Sequence, residues 1–180
     1  GKIEDMLKEE NPDVICFQEF HLNGKDDSQA IKLMMDRLGM KYYISNNLHQ
    51  TKQVAGLVIL SKYPIKKIYR QNFNAQKLGG NGLLVADVIL ENKTVWRVAN
   101  FHLQSIKFEQ PDYDYAKNPT KDKDGFSLGV LRIINRFIKA YALRGNQANI
   151  LFGLLKSSPY PVIAAGDAND PPVSYTYRVL

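Results

Sequence analysis

The stretch Val162–Ser174, "VIAAGDANDPPVS", runs four apolar residues into Gly166 and then sets Asp167, Asn169 and Asp170 within four positions. Pro171, Pro172 and Ser174 follow at once. Taken alone it reads as a buried strand leading into a turn, because Asp, Asn, Gly and Pro are all turn formers. Two further apolar strands end in the same way. "DVICFQE" closes on Gln18 and Glu19, and "WRVANFHL" carries Asn100 and His102 near its end. Each ending has an ordinary explanation by itself: an exposed glutamate at a strand terminus, or a hydrogen-bonded core histidine in an apolar alternation. Three such endings together point to a site, since a sheet fixes positions while the adjoining loops stay free.

That set of groups suits one kind of chemistry. A single Glu with few other hard ligands fits Mg²⁺, which keeps several waters and completes its octahedron with substrate phosphate oxygens; Mn²⁺ is a substitute. Zinc is disfavoured because no Cys/His cluster has the usual spacing. An Asp beside an Asn can orient and deprotonate a water while the amide steadies charge developing on phosphorus. A His can donate to a nonbridging phosphate oxygen. Together they point to metal-assisted hydrolysis of a phosphate ester by an in-line water.

Length and composition are compatible with this reading. The chain has 180 residues, 44% of them hydrophobic and 23% charged, within the range of ordinary globular domains. It is read as a single domain over residues 1–180. Lys and Arg number 24 against 18 Asp and Glu, a net +6 that favours polyanionic partners and equally serves solubility. The lone Cys16, in "DVICF", excludes an internal disulfide and reads as a small buried hydrophobe. The apolar run "GLLVADVIL" contains Asp87 and falls far short of the ~20 residues that span a bilayer.

Along the chain, "IEDMLKEE" places Ile3, Met6 and Leu7 at helical spacing and stops before Asn11-Pro12. A second helix is expected over "QAIKLMMDRL", capped by Asp27 or Ser28 and ended by Gly39. Strands are expected at "KYYIS", "GLVILSK", "IKKIYRQNF", "GLLVADVIL" and "TVWRVANFHL", the last two forming an antiparallel hairpin. Residues 104–126, with Pro111, Pro119 and Gly125, read as a loop or excursion. From Ser127 to about Lys156 the pattern is helical, with Leu131, Ile134, Ile138 and Tyr141 on one face and Gly145 as a dividing point. Ser174 is a candidate cap for a closing helix, "YTYRVL". Hairpins mixed with crossover helices suggest stacked sheets covered by helices.

The segments "NPDVICFQE", "GLVILSKYPI", "ANFHL", "RGNQA" and "PVIAAGDANDPPVS" resemble, in order and spacing, the endonuclease/exonuclease/phosphatase superfamily, and most of all its bacterial branch. The resemblance implies an α/β four-layer α/β-β/α sandwich of two packed mixed sheets flanked by helices. It implies that Glu19 binds the divalent metal, that His102 contacts the scissile phosphate, that Asp167 orients or deprotonates the attacking water, and that Asn169 stabilises the phosphate in the transition state. Gln18, Asn100, Arg144 and Gln147 match positions that support the site. The substrate it implies is a phosphate ester: nucleic acid, a phospholipid headgroup or an inositol phosphate. No stable protein partner is implied. The basic run "KYPIKKIYR" could track a phosphate backbone, but reads better as an edge strand guarded by lysines.

Two departures stand out. The family's "GDFN" is "GDAN" here, with Ala168 in place of an aromatic residue. The family's Asn-bearing first strand and its closing Asp-His motif have no counterpart in the chain, which is therefore expected to be a partial domain, incomplete at both ends, with sheet edges open to self-association and only part of the catalytic set. The rival reading is a catalytically inactive phosphate-binding or scaffold protein on the same fold.

Overall fold

The computed structural model describes residues 2–21, 27–46, 56–73, 80–118 and 126–180. The side chains of Asp27, Ser28, Ala30, Lys67, Phe126 and Ser127 also lie outside what is described, and with the first two the expected cap of the second helix. The chain divides into two compact units. The first comprises residues 1–102 and 153–167, the second residues 103–152 and 168–180.

The first unit holds both sheets. Helix α1 (Lys2–Glu10) ends at Asn11, whose positive φ of 46° closes the last turn before Pro12. Strand β1 (Val14–Phe20) follows, then helix α2 (Asp27–Leu38), which stops at Gly39 with φ 67°. Strands β2 (Tyr42–Ser45) and β3 (Gly56–Ser61) complete a three-stranded antiparallel sheet in the order β1-β3-β2. As the central strand, β3 is buried throughout. Ile31, Met35 and Leu38 of α2 pack with Ile15, Val58 and Leu60 on one face of this sheet, and Leu7 of α1 joins them. Ile3 and Met6, at helical spacing with Leu7, are exposed.

The second sheet contains β4 (Ile65–Asn72), β5 (Gly82–Ile89), β6 (Val95–His102) and β7 (Val162–Asp167), in that order. The β5–β6 hairpin is antiparallel as expected, and β7 pairs parallel to β6. The basic run "IKKIYR" forms β4 and occupies the sheet edge, as its lysines foretell. Leu57 and Ile59 of β3 pack with Leu84, Ala86, Val88 and Val98, so the two sheets share an apolar core. On the opposite face Arg97 grips Asp87 with two hydrogen bonds, Nε to Oδ1 at 2.8 Å and Nη2 to Oδ2 at 3.1 Å. The fold is mixed α/β, two packed sheets with helices, the class the sequence predicts.

One strand departs from expectation. The apolar run into Gly166 is an edge strand, and Val162 and Ile163 are exposed. Apolar composition marked it as buried, but its rank within the sheet is set by pairing, which periodicity does not encode.

The second unit carries two further differences. Within residues 104–126, expected to be loop, a helix α3 spans Gln110–Lys117. Pro111 sits in its first turn, where a missing N–H costs nothing, and the Glu109 backbone amide donates to the Asp112 carboxylate at 2.7 Å. Pro119 and Gly125 lie outside the described residues. Helix α4 (Phe126–Lys156) runs through Gly145 without a break. Beside Gly145 lies the ring of Tyr175, whose hydroxyl donates to Asn149 at 2.9 Å. Gly145 is thus a packing position for the closing helix α5 (Tyr175–Val179), which Ser174 caps by accepting from the Tyr177 amide. Leu131, Ile134, Ile138 and Tyr141 do share one face of α4, and that face is exposed.

Candidate active site

The pairing of β1 with β3 slips between Phe17 and Phe20. Phe17 faces Val58 and Phe20 faces Gly56, so Gln18 and Glu19 together oppose Leu57 alone. This is a β-bulge, a device that re-aims a side chain at the cost of local ladder bonds. Glu19 takes φ 50°, a left-handed conformation that a residue with a Cβ adopts only at a cost of about 1–2 kcal/mol. Its carboxylate is 68% exposed and lies 3.9 Å from His102 Nε2.

The polar partners of the bulge come from the other sheet. Asn100 is fully buried and donates from Nδ2 to the carbonyls of Phe17 and Val58, both at 2.9 Å. Its Oδ1 accepts from Gln18 Nε2 at 2.8 Å. Asn100 and Gln18 therefore bolt the sheets together one residue from Glu19, and neither projects toward solvent chemistry. Cys16 serves the same inner layer; burial pushes its thiol up to about 12, so it is no nucleophile at neutral pH.

His102 and Asp167 end adjacent parallel strands and stand directly beside each other in the ladder. The Asp167 carboxylate is half exposed, and its Oδ2 lies 3.9 Å from His102 Nε2. The imidazole is 4% exposed, with Nε2 toward both carboxylates and Nδ1 buried without a hydrogen-bond partner. These 3.9 Å separations are too long for hydrogen bonds, so the three groups stand close together without being paired to one another. Gly166 makes the strand approach feasible: a Cβ there would run into the carbonyl and ring of Phe101.

In the second unit, Asn169 has φ 52° and donates from Nδ2 to the Leu103 carbonyl at 3.0 Å. Gln147 Oε1 accepts from the Gln104 amide at 2.8 Å, and Arg144 Nη1 donates to the Gln104 carbonyl at 3.0 Å. Arg144, fully buried, lies over the Tyr141 ring at 4.5 Å and faces Asp170, whose side chain is 1% exposed. Arg144 Nη2 and Asp170 Oδ1 stand 2.9 Å apart, yet no N–H points at the oxygen, so the contact is ionic rather than directional. Asp170 has no assigned role in the sequence reading. Its signal was an arginine within an apolar helical segment, which requires a counter-charge.

The structure thus brings Glu19, His102 and Asp167 together, with Gln18 and Asn100 behind them. It places Asn169, Arg144 and Gln147 in a second polar network around Leu103 and Gln104. Among the described residues, no three His, Cys, Asp or Glu side chains cluster as metal ligands. The donor chemistry at Glu19 still fits a hard cation, since an exposed carboxylate oxygen is the single protein ligand that a largely hydrated Mg²⁺-type ion accepts. Among the described residues no helix is long and apolar enough to cross a membrane.

The sequence model of the Endonuclease/Exonuclease/phosphatase family matches residues 1–180. The chain belongs to that family. A search of the curated proteins found no match. Among solved structures, the chain is similar to TDP2 from Caenorhabditis elegans, at TM-score 0.57 and 15% identity over 94% of this chain and 42% of that one. It is similar to an endonuclease/exonuclease/phosphatase family protein from Bacteroides thetaiotaomicron, at TM-score 0.56 and 13% identity over 99% and 56%. The human Nocturnin catalytic domain with bound sulfate gives TM-score 0.51 and 14% identity over 99% and 60%. These likenesses establish the fold shared by the family, and the chain spans roughly half the length of each structure.

Proposed function

We propose that the protein hydrolyses a phosphate ester by divalent-metal-assisted in-line attack of water. The observation that carries this reading is the convergence of Glu19 and Asp167 on His102 Nε2, each at 3.9 Å, from strands of two different sheets. Membership of the endonuclease/exonuclease/phosphatase family supports it.

Glu19 holds the cation, Mg²⁺ or Mn²⁺, which when bound neutralises charge on the phosphate. The left-handed bulge conformation presents the carboxylate outward, and the Asn100–Gln18 bolt keeps it there. Asp167 accepts a proton from the attacking water, whose oxygen forms the new P–O bond. The opposite P–O bond breaks, and its electron pair leaves with the alcohol oxygen. His102, packed so that only Nε2 is presented, donates from that atom to a nonbridging phosphate oxygen. Asn169 donates its side-chain amide to the phosphate as charge accumulates. The substrate is a phosphate ester of nucleic acid, of a phospholipid headgroup or of an inositol, and the net +6 of the chain favours the polyanionic ones.

The test is Asp167→Asn in the full-length protein, assayed with Mg²⁺ on bis-p-nitrophenyl phosphate. Loss of a general base should lower turnover ~10²-fold or more while the melting temperature is retained. A near-normal rate would exclude Asp167 from water activation. Comparing plasmid DNA, RNA, inositol phosphates and sphingomyelin under the same conditions assigns the substrate class.

A further inference from the structure

We propose that Asp170 is a positioning residue that, through Arg144, sets where the Asn169 side-chain amide stands; the catalytic consequence rests on the role given to Asn169 above. The ionic contact between the two side chains is sealed from water, with Arg144 fully buried and Asp170 1% exposed. Two charges are withdrawn from solvent at a cost of several kcal/mol per ion, which a surface turn has no reason to meet.

What the pair holds is specific. Arg144 Nη1 grips the Gln104 carbonyl, Gln147 accepts from the Gln104 amide, and Asn169 Nδ2 reaches the neighbouring Leu103 carbonyl. Asn169 and Asp170 are adjacent, as are Leu103 and Gln104. A closed circuit results: the Leu103 carbonyl to Asn169, on to Asp170, across to Arg144, and back to Gln104. Asn169 sits in the left-handed region at φ 52°, which asparagine tolerates but does not prefer. Removing the Asp170 charge opens the circuit at its ionic link and, among the described residues, leaves Arg144 buried with no counter-ion. The 168–173 turn can then relax, and the Asn169 amide loses its fixed address. Gln147 and Arg144 thereby act on backbone, and Asp170 acts on Asn169 through them.

Asp170→Asn is nearly isosteric and removes the charge alone. The first readout is independent of activity: the Asn169 side-chain NH₂ resonances, followed by ¹⁵N-edited NMR in the full-length protein. Slow exchange and a dispersed shift are expected in the parent, collapsing toward solvent-exposed amide values in Asp170→Asn. Unchanged Asn169 resonances in a folded Asp170→Asn protein would overturn the proposal. If that variant does not fold, Asp170→Glu keeps the charge on a longer arm, and a displaced Asn169 signal there supports the circuit while an unmoved one overturns it. The second readout is a kinetic cycle. Asp170→Asn should lower kcat ~10-fold with KM nearly unchanged, and adding it to Asn169→Ala should cost nothing further, whereas a merely structural role would add to the loss. A displaced Asn169 resonance together with full activity in Asn169→Ala would uphold the positioning and refute the catalytic role of Asn169.

Discussion

At the scale of single residues, Glu19 is where the backbone yields to chemistry. Four non-glycine residues in the described structure have positive φ. Asn11 ends a helix and Lys93 lies in the turn between β5 and β6, which accounts for both. Glu19 and Asn169 remain, and both are residues that the sequence singles out for chemistry. Glutamate gains nothing locally from the left-handed region, and the strain is in keeping with the cation-holding role proposed for Glu19. A pair of variants separates strain from chemistry: Glu19→Gly should melt higher than Glu19→Ala by the equivalent of about 1 kcal/mol, because glycine alone escapes the penalty. Both should lose metal-dependent turnover. Equal melting temperatures would mean that the bulge is not strained at Glu19. Asn100 offers a complementary case. Asn100→Ala removes the side-chain donor to the Phe17 and Val58 carbonyls and one of the two acceptors of the Gln18 amide, and should destabilise the protein by about 2 kcal/mol in denaturant titration.

At the scale of elements, the α3–α4 tie gives a pH signature. Burial alone would raise the Asp112 carboxyl, but the Glu109 amide, Arg132 and Arg136 outweigh it and hold the group below the ordinary carboxylate range. A depressed value means stability that is fully present above the unfolded carboxylate pKa of about 3.9 and is lost as pH falls through the folded value. Melting temperature should therefore drop between about pH 5 and about pH 3, and Asp112→Asn should flatten part of that slope. An unchanged slope would remove Asp112 from the acid response. The same helix shows what local sequence conceals. Pro111 read as a loop marker because proline interrupts helices, yet in a first turn it is harmless, and only the Glu109–Asp112 contact reveals which case applies. Gly145 likewise read as a divider, yet α4 continues through it and the Tyr175 ring packs beside it. Strands were more legible, since alternation and turn residues bound β2 to β6 closely. The β1 bulge was not: one extra residue is invisible until the register with β3 is known.

At the scale of the whole molecule, the legible part was the order of motifs, and the hidden part was how they are held. Glu19, His102 and Asp167 were each ambiguous in sequence, and their proximity became visible only where β1 meets the β6–β7 ladder. Asp170 was hidden for a different reason, because its partner Arg144 lies 26 positions earlier on another element. The chain belongs to the Endonuclease/Exonuclease/phosphatase family, and the proposed function gives Glu19 the divalent cation. The most direct measurement is a divalent-cation titration of phosphodiester turnover in the full-length protein and in Glu19→Gln, which keeps size and removes charge. Saturable activation by Mg²⁺ or Mn²⁺, abolished by EDTA, is expected, with the Glu19→Gln curve displaced at least ~10-fold to higher cation concentration. Superimposable curves for the two proteins, or turnover untouched by EDTA, would contradict it.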